Sequence, residues 1–127
     1  DSAMAPAPIA LVEDDPTSRF MLTRHLERAG YVVHAFPSGE HFLESIPHGL
    51  PAIVLLDVGL PGISGDELVR MLRDSTNGAR DLPVIGVTAM AFPEEHRNFL
   101  RAGMNRVISK PVAIPELLEL VSEFVSD

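Results

Sequence analysis

Four short stretches of this sequence set reactive side chains directly after apolar runs. Ile53-Val54-Leu55-Leu56 ends on the carboxylate of Asp57, and a turn with Gly59, Pro61 and Gly62 follows at once. Ile9 to Val12 ends on Glu13, Asp14 and Asp15, Leu82 to Val87 on Thr88 and Ala89, and Met104 to Ser109 on Lys110 and Pro111. Brought together, the carboxylates of Glu13, Asp14 and Asp57 repel unless one protonates or a cation sits among them. A hard divalent ion answers that need, and magnesium takes one or two carboxylates plus waters and a substrate phosphate. With a lysine ammonium and a threonine hydroxyl beside it, such a group suits a phosphoryl. Metal and ammonium neutralise its charge, and the hydroxyl donates a hydrogen bond. Asp57 is then a candidate nucleophile that forms an acyl phosphate. Gly59 is a candidate metal ligand through its backbone carbonyl.

The chemistry requires elements that bring these positions to one place. The apolar runs read as strands over Ile9–Val12, Tyr31–Phe36, Ala52–Leu56 with Asp57 as last residue, Leu82–Val87 and Met104–Ser109. Between them lie helical signals. Asp15 is placed as an N-cap and Pro16 at the first helical position, opening a helix to Ala29 that Gly30 ends, with Ser18, Leu22, Leu26 and Ala29 in one stripe. Ser38 caps a short helix carrying Phe42, Leu43 and Ile46. Ser64 with Glu67 predicts a capping box, before a helix carrying Leu68, Met71 and Leu72. Pro93 opens a helix through Leu100 to Ala102, which Gly103 closes. Pro115 sets the start of the last helix, where Ile114, Leu117, Leu118, Val121 and Val125 recur at helical spacing.

Strands separated by helices run parallel with right-handed crossovers, and continuous apolar strands fit a sheet covered on both faces. The predicted fold is α/β: a doubly wound, five-stranded parallel sheet in the flavodoxin-like order 2-1-3-4-5, with helices on both faces. That order puts the third strand in the centre, flanked by the first and fourth. Ligands of such sheets bind beyond the carboxyl ends of the strands, where Glu13, Asp14, Asp57, Thr88 and Lys110 collect.

The chain has 127 residues, the size of one domain, and 46% are apolar, enough for a core. The absence of cysteine excludes disulfides, thiolate metal sites and a cysteine nucleophile, and a domain without such staples favours the cytosol. A formal net charge of -8 repels nucleic acid. No apolar run approaches the ~20 residues of a membrane helix, and the N-terminus lacks the pattern of a signal peptide. Residues 1–7 read as a flexible linker or a cloning scar, leaving residues 8–127 as one domain. The five histidines, His25, His34, His41, His48 and His96, form no ligand pattern and no nucleophile–base pair. They read as surface or edge residues. Phe92, Phe99 and Met104 read as packing around the fourth helix and fifth strand.

The segments LVEDDP, LLDVGLPGISG, PVIGVTAMA and GMNRVISKP, in this order and each at an expected strand end, resemble the response-regulator receiver domain of two-component signalling. The resemblance runs from about Ile9 to Val125. It implies a phosphoryl-accepting switch: Asp57 as acceptor from a phosphohistidine, and Glu13 and Asp14 as the acidic pair for Mg2+. Asp14 would bind the metal directly and Glu13 largely through water, with the Gly59 carbonyl completing the protein ligands. Thr88 would bond the phosphoryl oxygen, Lys110 would pair with the phosphate, and Lys110-Pro111 would be a cis peptide. The domain would be no enzyme beyond its own phosphorylation and dephosphorylation. Its partners would be a histidine kinase or histidine phosphotransfer domain as donor, then an effector or a second copy on the fourth-helix to fifth-helix face. It would work in the cytoplasm or on the cytoplasmic side of a membrane-bound kinase, since GMNRVISKPV is similar to receivers of hybrid kinases.

One departure stands out. Many receivers carry Tyr or Phe three residues before the lysine, and here that position is Val107. Signalling by an aromatic rotamer is therefore not expected. Gly59 and Met90, at positions that tune phosphoryl lifetime in the family, carry no side chain that orients an attacking water, which points to slow self-dephosphorylation. Three other readings compete: a degenerate receiver used for binding or dimerisation, a magnesium-dependent aspartyl phosphohydrolase, and a flavodoxin-like carrier. The second usually needs an aspartate two residues after the nucleophile, where this chain has Gly59. The third needs uncharged amides where the chain has Glu13-Asp14-Asp15.

Overall fold

The computed structural model describes residues 8–76, 78–89 and 92–125. The expected linker at 1–7 and Met90 lie outside the described residues. Strands β1 (Ile9–Val12), β2 (Val33–Phe36), β3 (Ile53–Asp57), β4 (Val84–Thr88) and β5 (Arg106–Ser109) form one parallel sheet in the order β2-β1-β3-β4-β5. Helices α1 (Pro16–Arg28), α2 (Gly39–Ser45), α3 (Gly65–Arg73), α4 (Pro93–Ala102) and α5 (Ile114–Phe124) connect them, with short 3-10 turns at Ile46–His48 and Ala79–Asp81. The predicted order is the one found.

The central strands are apolar throughout because both faces are covered. Every residue of β1, β3 and β4 is buried, whereas β2 and β5, at the edges, are partly exposed. Alternation along the strands divides the interior in two. Ala10, Val12, Val54 and Leu56 pack with Phe42, Leu68, Val69 and Leu72 of α2 and α3. Ile9, Leu11, Ile53, Leu55 and Ile85 pack with Leu26 of α1 and Leu117 and Val121 of α5. The same alternation fixes the chemistry at the strand ends. Glu13 continues the series Ile9, Leu11, and Asp57 continues Ile53, Leu55, so both carboxylates start from the α1–α5 side of the sheet.

Several expected details differ. The second, fourth and fifth strands begin two residues later than the apolar runs suggest, at Val33, Val84 and Arg106. Val32 is exposed, Leu82 ends the 3-10 turn, and Met104 is buried as a lead-in to β5. The capping box does not form. Ser64 is the N-cap of α3, but its hydroxyl donates to Asp66 Oδ1 at 2.9 Å, a bond to a charged acceptor two residues on. Met71 is exposed and Val69 takes the core position beside Leu68 and Leu72. Ala29, expected in the buried stripe of α1, is exposed at its C-cap. Phe92 occupies the N-cap of α4 and is 70% exposed, so only Phe99 and Met104 pack inward.

Two contacts hold the connections around β3, β4 and β5. The Arg73 guanidinium at the end of α3 donates to the carbonyls of Arg80, Leu82 and Gly103 and to Asn105 Oδ1, at 2.7 to 3.0 Å. Gly65, the first residue of α3, lies against the chain leaving β3: its N–H donates to Val58 O at 3.1 Å, and an added Cβ would stand 2.7 Å from Val58 Cα. That neighbour is backbone and cannot swing aside. Gly65→Ala is therefore expected to destabilise the domain by about 1–3 kcal/mol despite alanine's better helix propensity, measured as a lower midpoint in urea with unchanged slope.

Candidate functional site

The carboxyl ends of β1, β3 and β5 bring four of the predicted residues together. Ligand oxygens of Glu13, Asp14 and Asp57 lie within 4.8 Å of one another. Glu13 and Asp57 are buried and Asp14 is exposed, so the cluster opens to solvent on the Asp14 side. Lys110 Nζ stands 3.4 Å from Asp57 Oδ2 and 3.8 Å from Glu13 Oε1. It enters from the β5–α5 connection, directly before Pro111, and the Lys110-Pro111 peptide is cis. Thr88, the last residue of β4, is buried. It follows Val87, the register partner of Asp57, and its carbonyl accepts from the Lys110 N–H at 2.7 Å.

Local bonds fix the carboxylates of Asp57, Glu13 and Asp15. The Gly59 N–H donates to Asp57 Oδ1 at 3.1 Å, so the turn after β3 folds back over its own strand end. The Asp15 N–H donates to Glu13 Oε2 at 3.1 Å, while Asp15 Oδ2 caps α1 by accepting from the Ser18 N–H at 2.9 Å. That cap holds the Asp15 carboxyl below the usual carboxylate range. Burial pushes the Glu13 carboxyl up to about 7, and the Asp57 carboxylate beside it pushes the same way against the Asp15 N–H and Lys110. One ammonium faces two buried acids, so the cluster carries excess negative charge. Three hard oxygen donors at this spacing suit a hard divalent cation.

The chain matches the family model described as response regulator receiver domain over residues 9–122. This chain belongs to that family. As a receiver, it is 29% identical to the polar-differentiation response regulator DivK of Brucella anthropi, covering 96% of this chain and 98% of DivK. The structure of a putative response regulator from Chloroflexus aurantiacus superposes with a TM-score of 0.89 at 33% identity, covering 96% of this chain and 99% of that one. The receiver domain of a sensor histidine kinase from Pseudomonas aeruginosa PAO1, described with a magnesium ion coordinated in its active site cleft, superposes with a TM-score of 0.85 at 30% identity, covering 97% of this chain and all of that one (100%).

Some features of this receiver's site were not visible as motifs. His96, expected at the surface, is half-buried on α4, with Nε2 3.3 Å from the Ser109 hydroxyl at the end of β5. Ser109 is the register partner of Thr88 and precedes Lys110. His25 is also half-buried and, with Met21, Leu22, Val112 and Ile114, lines a cavity of about 290 Å³ that reaches Glu13 and Lys110. Val107 is half-buried against the α2–α3 side of the core, with no ring to rotate.

The raised Glu13 carboxyl has a consequence for stability. In the metal-free domain the folded state holds this proton up to about pH 7, the unfolded chain only to about 4.5. The folded state therefore binds more protons between these values, and stability falls as pH rises through the window. In Glu13→Gln this loss is expected to vanish. Thermal melts in the presence of a chelator should show the variant equal to the wild type near pH 4.5 and more stable near pH 8.

Proposed function

We propose that Asp57 is the phosphoacceptor of this receiver and that the domain is a switch in a two-component or phosphorelay system. The observation that carries this reading is the Asp57 carboxylate at the end of the central strand, 3.4 Å from the Lys110 ammonium and within ligand distance of Glu13 and Asp14. An Asp57 carboxylate oxygen attacks the phosphorus of a phosphohistidine. The new O–P bond forms as the P–N bond breaks, and the imidazole leaves with the electron pair, taking a proton from solvent. Lys110 pairs with a phosphoryl oxygen and the Thr88 hydroxyl donates to another. Magnesium held by Glu13, Asp14, Asp57 and the Gly59 carbonyl would supply the positive charge that draws acceptor and phosphoryl together. The domain catalyses its own phosphorylation and, with Gly59 offering no polar side chain to water, a slow dephosphorylation.

The donor is a histidine kinase or histidine phosphotransfer domain. Phe20 and Met21 on α1 are 62% and 53% exposed beside the cavity that opens to Lys110, an apolar surface next to the acceptor. Phosphorylation shifts an equilibrium between two loop arrangements and so changes the surface that a partner meets. With valine at position 107, the change passes through the strand ends, where Thr88, Ser109 and His96 follow one another. An effector or a second copy reads it on the face of α4, β5 and α5. No helix among the described residues is long and apolar enough to cross a membrane, and we place the domain in the cytoplasm, alone or as part of a kinase. Residues 8–127 form the receiver unit in this reading.

Intact mass after incubation with acetyl phosphate tests the acceptor. A phosphoryl adduct that requires magnesium and is lost in Asp57→Asn is expected; an adduct that persists in Asp57→Asn contradicts the assignment. Met21→Glu tests the donor surface. It is expected to slow transfer from a phosphorylated donor domain by about tenfold, the effect of losing ~1.4 kcal/mol of docking energy, while phosphorylation by acetyl phosphate stays as in the wild type.

A further inference from the structure

Arg19, on the first turn of α1, sits beside the acidic cluster yet forms no ion pair with a carboxylate among the described residues. Its Nη1 donates instead to two main-chain carbonyls, Glu13 O at 2.8 Å and Asp14 O at 3.3 Å. The residues whose carboxylates converge with that of Asp57 are therefore gripped from behind by one guanidinium. The rest of the loop is fastened at other points: the Glu13 N–H donates to Phe36 O at 3.0 Å, and the Asp15 side chain caps α1. Between those two anchors, the Arg19 bonds act with the bond from the Asp15 N–H to Glu13 Oε2 to set the orientation of the Glu13 and Asp14 peptides.

A cation beside a cation site has two opposite effects. Its charge repels the incoming metal, whereas its bonds hold the ligands in place before the metal arrives. Orientation of ligands by outer partners is worth ten- to a hundredfold in metal affinity in characterised sites. A half-exposed charge facing solvent is weakened by screening, and the guanidinium spends its strong donors on the loop itself. We propose that Arg19 is a positioning residue for the divalent-cation site, holding the Glu13-Asp14 loop in the metal-ready arrangement, and that this tether outweighs the repulsion of its charge. The inference rests on the reading of Glu13, Asp14 and Asp57 as a magnesium site.

The sign of the effect separates the two contributions. Magnesium affinity is measured by calorimetry on the wild type, Arg19→Met and Arg19→Lys, with melting temperatures of the metal-free proteins and hydrogen exchange of the Asp15 amide. Arg19→Met keeps the aliphatic stem and removes charge and donors together. It is expected to weaken magnesium binding about tenfold and to speed exchange at Asp15 in the metal-free domain. Arg19→Lys keeps the charge, but its ammonium lies one bond nearer the backbone than the Nη1 that reaches both carbonyls and lacks the planar guanidinium that aims it, so it is expected to bind no better than Arg19→Met. Unchanged or tighter binding by Arg19→Met overturns the proposal, as does wild-type affinity in Arg19→Lys. A lower melting temperature with unchanged affinity assigns Arg19 to stability alone and overturns it too. Absence of magnesium binding by the wild type overturns the cation-site reading and this inference with it. Should Arg19→Met not fold, Arg19→Lys and the Asp15 exchange decide.

Discussion

The structure is organised around the cost of ending a buried strand on a charge. β3 is covered on both faces, and Asp57 at its end is buried with it, next to the equally buried Glu13. Like charges at this spacing in a poorly solvated place are unfavourable unless compensated. Lys110 supplies part of the compensation, 3.4 Å from Asp57 and 3.8 Å from Glu13. The remainder comes from a proton on Glu13 in the metal-free domain, whose carboxyl is pushed up to about 7. A divalent ion among the carboxylates of Glu13, Asp14 and Asp57 would supply it as well, so the unfavourable electrostatics of the cluster favour a cation.

That constraint explains the scaffolding around the strand ends. The loop after β1 is fastened by Asp15 as helix cap and by Arg19, and the turn after β3 by the Gly59 N–H on Asp57 and the close approach of Gly65 to Val58. On the far side, Arg73 ties α3 to the chain before β4 and before β5. His96 on α4 meets Ser109, one residue from Lys110 and opposite Thr88. This contact links the strand end beside the acidic cluster to α4 in a receiver that has valine at position 107.

Much of this was legible in the sequence, for physical reasons. β1 and the body of β3 stand out because a strand buried on both faces must be apolar at every position, and Asp57, Glu13 and Lys110 are visible as abrupt charges at the ends of such runs. The starts of β4 and β5 were misjudged because apolar residues there are buried without joining the ladder. The side chain of Asn105 accepts from the Val84 N–H at 2.9 Å, and the Asn105 main-chain N–H donates to Val84 O at 2.8 Å, a bond pattern that hydropathy does not register. The Ser64–Glu67 spacing predicted reciprocal caps, but Asp66 offered the serine hydroxyl a charged acceptor. Arg19, Arg73 and His96 are not legible as a pattern because, among the described residues, Arg19 bonds to main-chain carbonyls, Arg73 mostly so, and His96 to a hydroxyl.

The central claim is that the Glu13–Asp14–Asp57 cluster is a cation site under electrostatic stress. Calorimetric titration of the metal-free domain with magnesium at pH 7, in two buffers of different ionisation enthalpy, tests it most directly. The account predicts saturable binding of one ion with net release of protons, a release that disappears in Glu13→Gln, and loss of binding in Asp14→Asn. Saturable binding with no proton release, or no binding at millimolar magnesium, would contradict it.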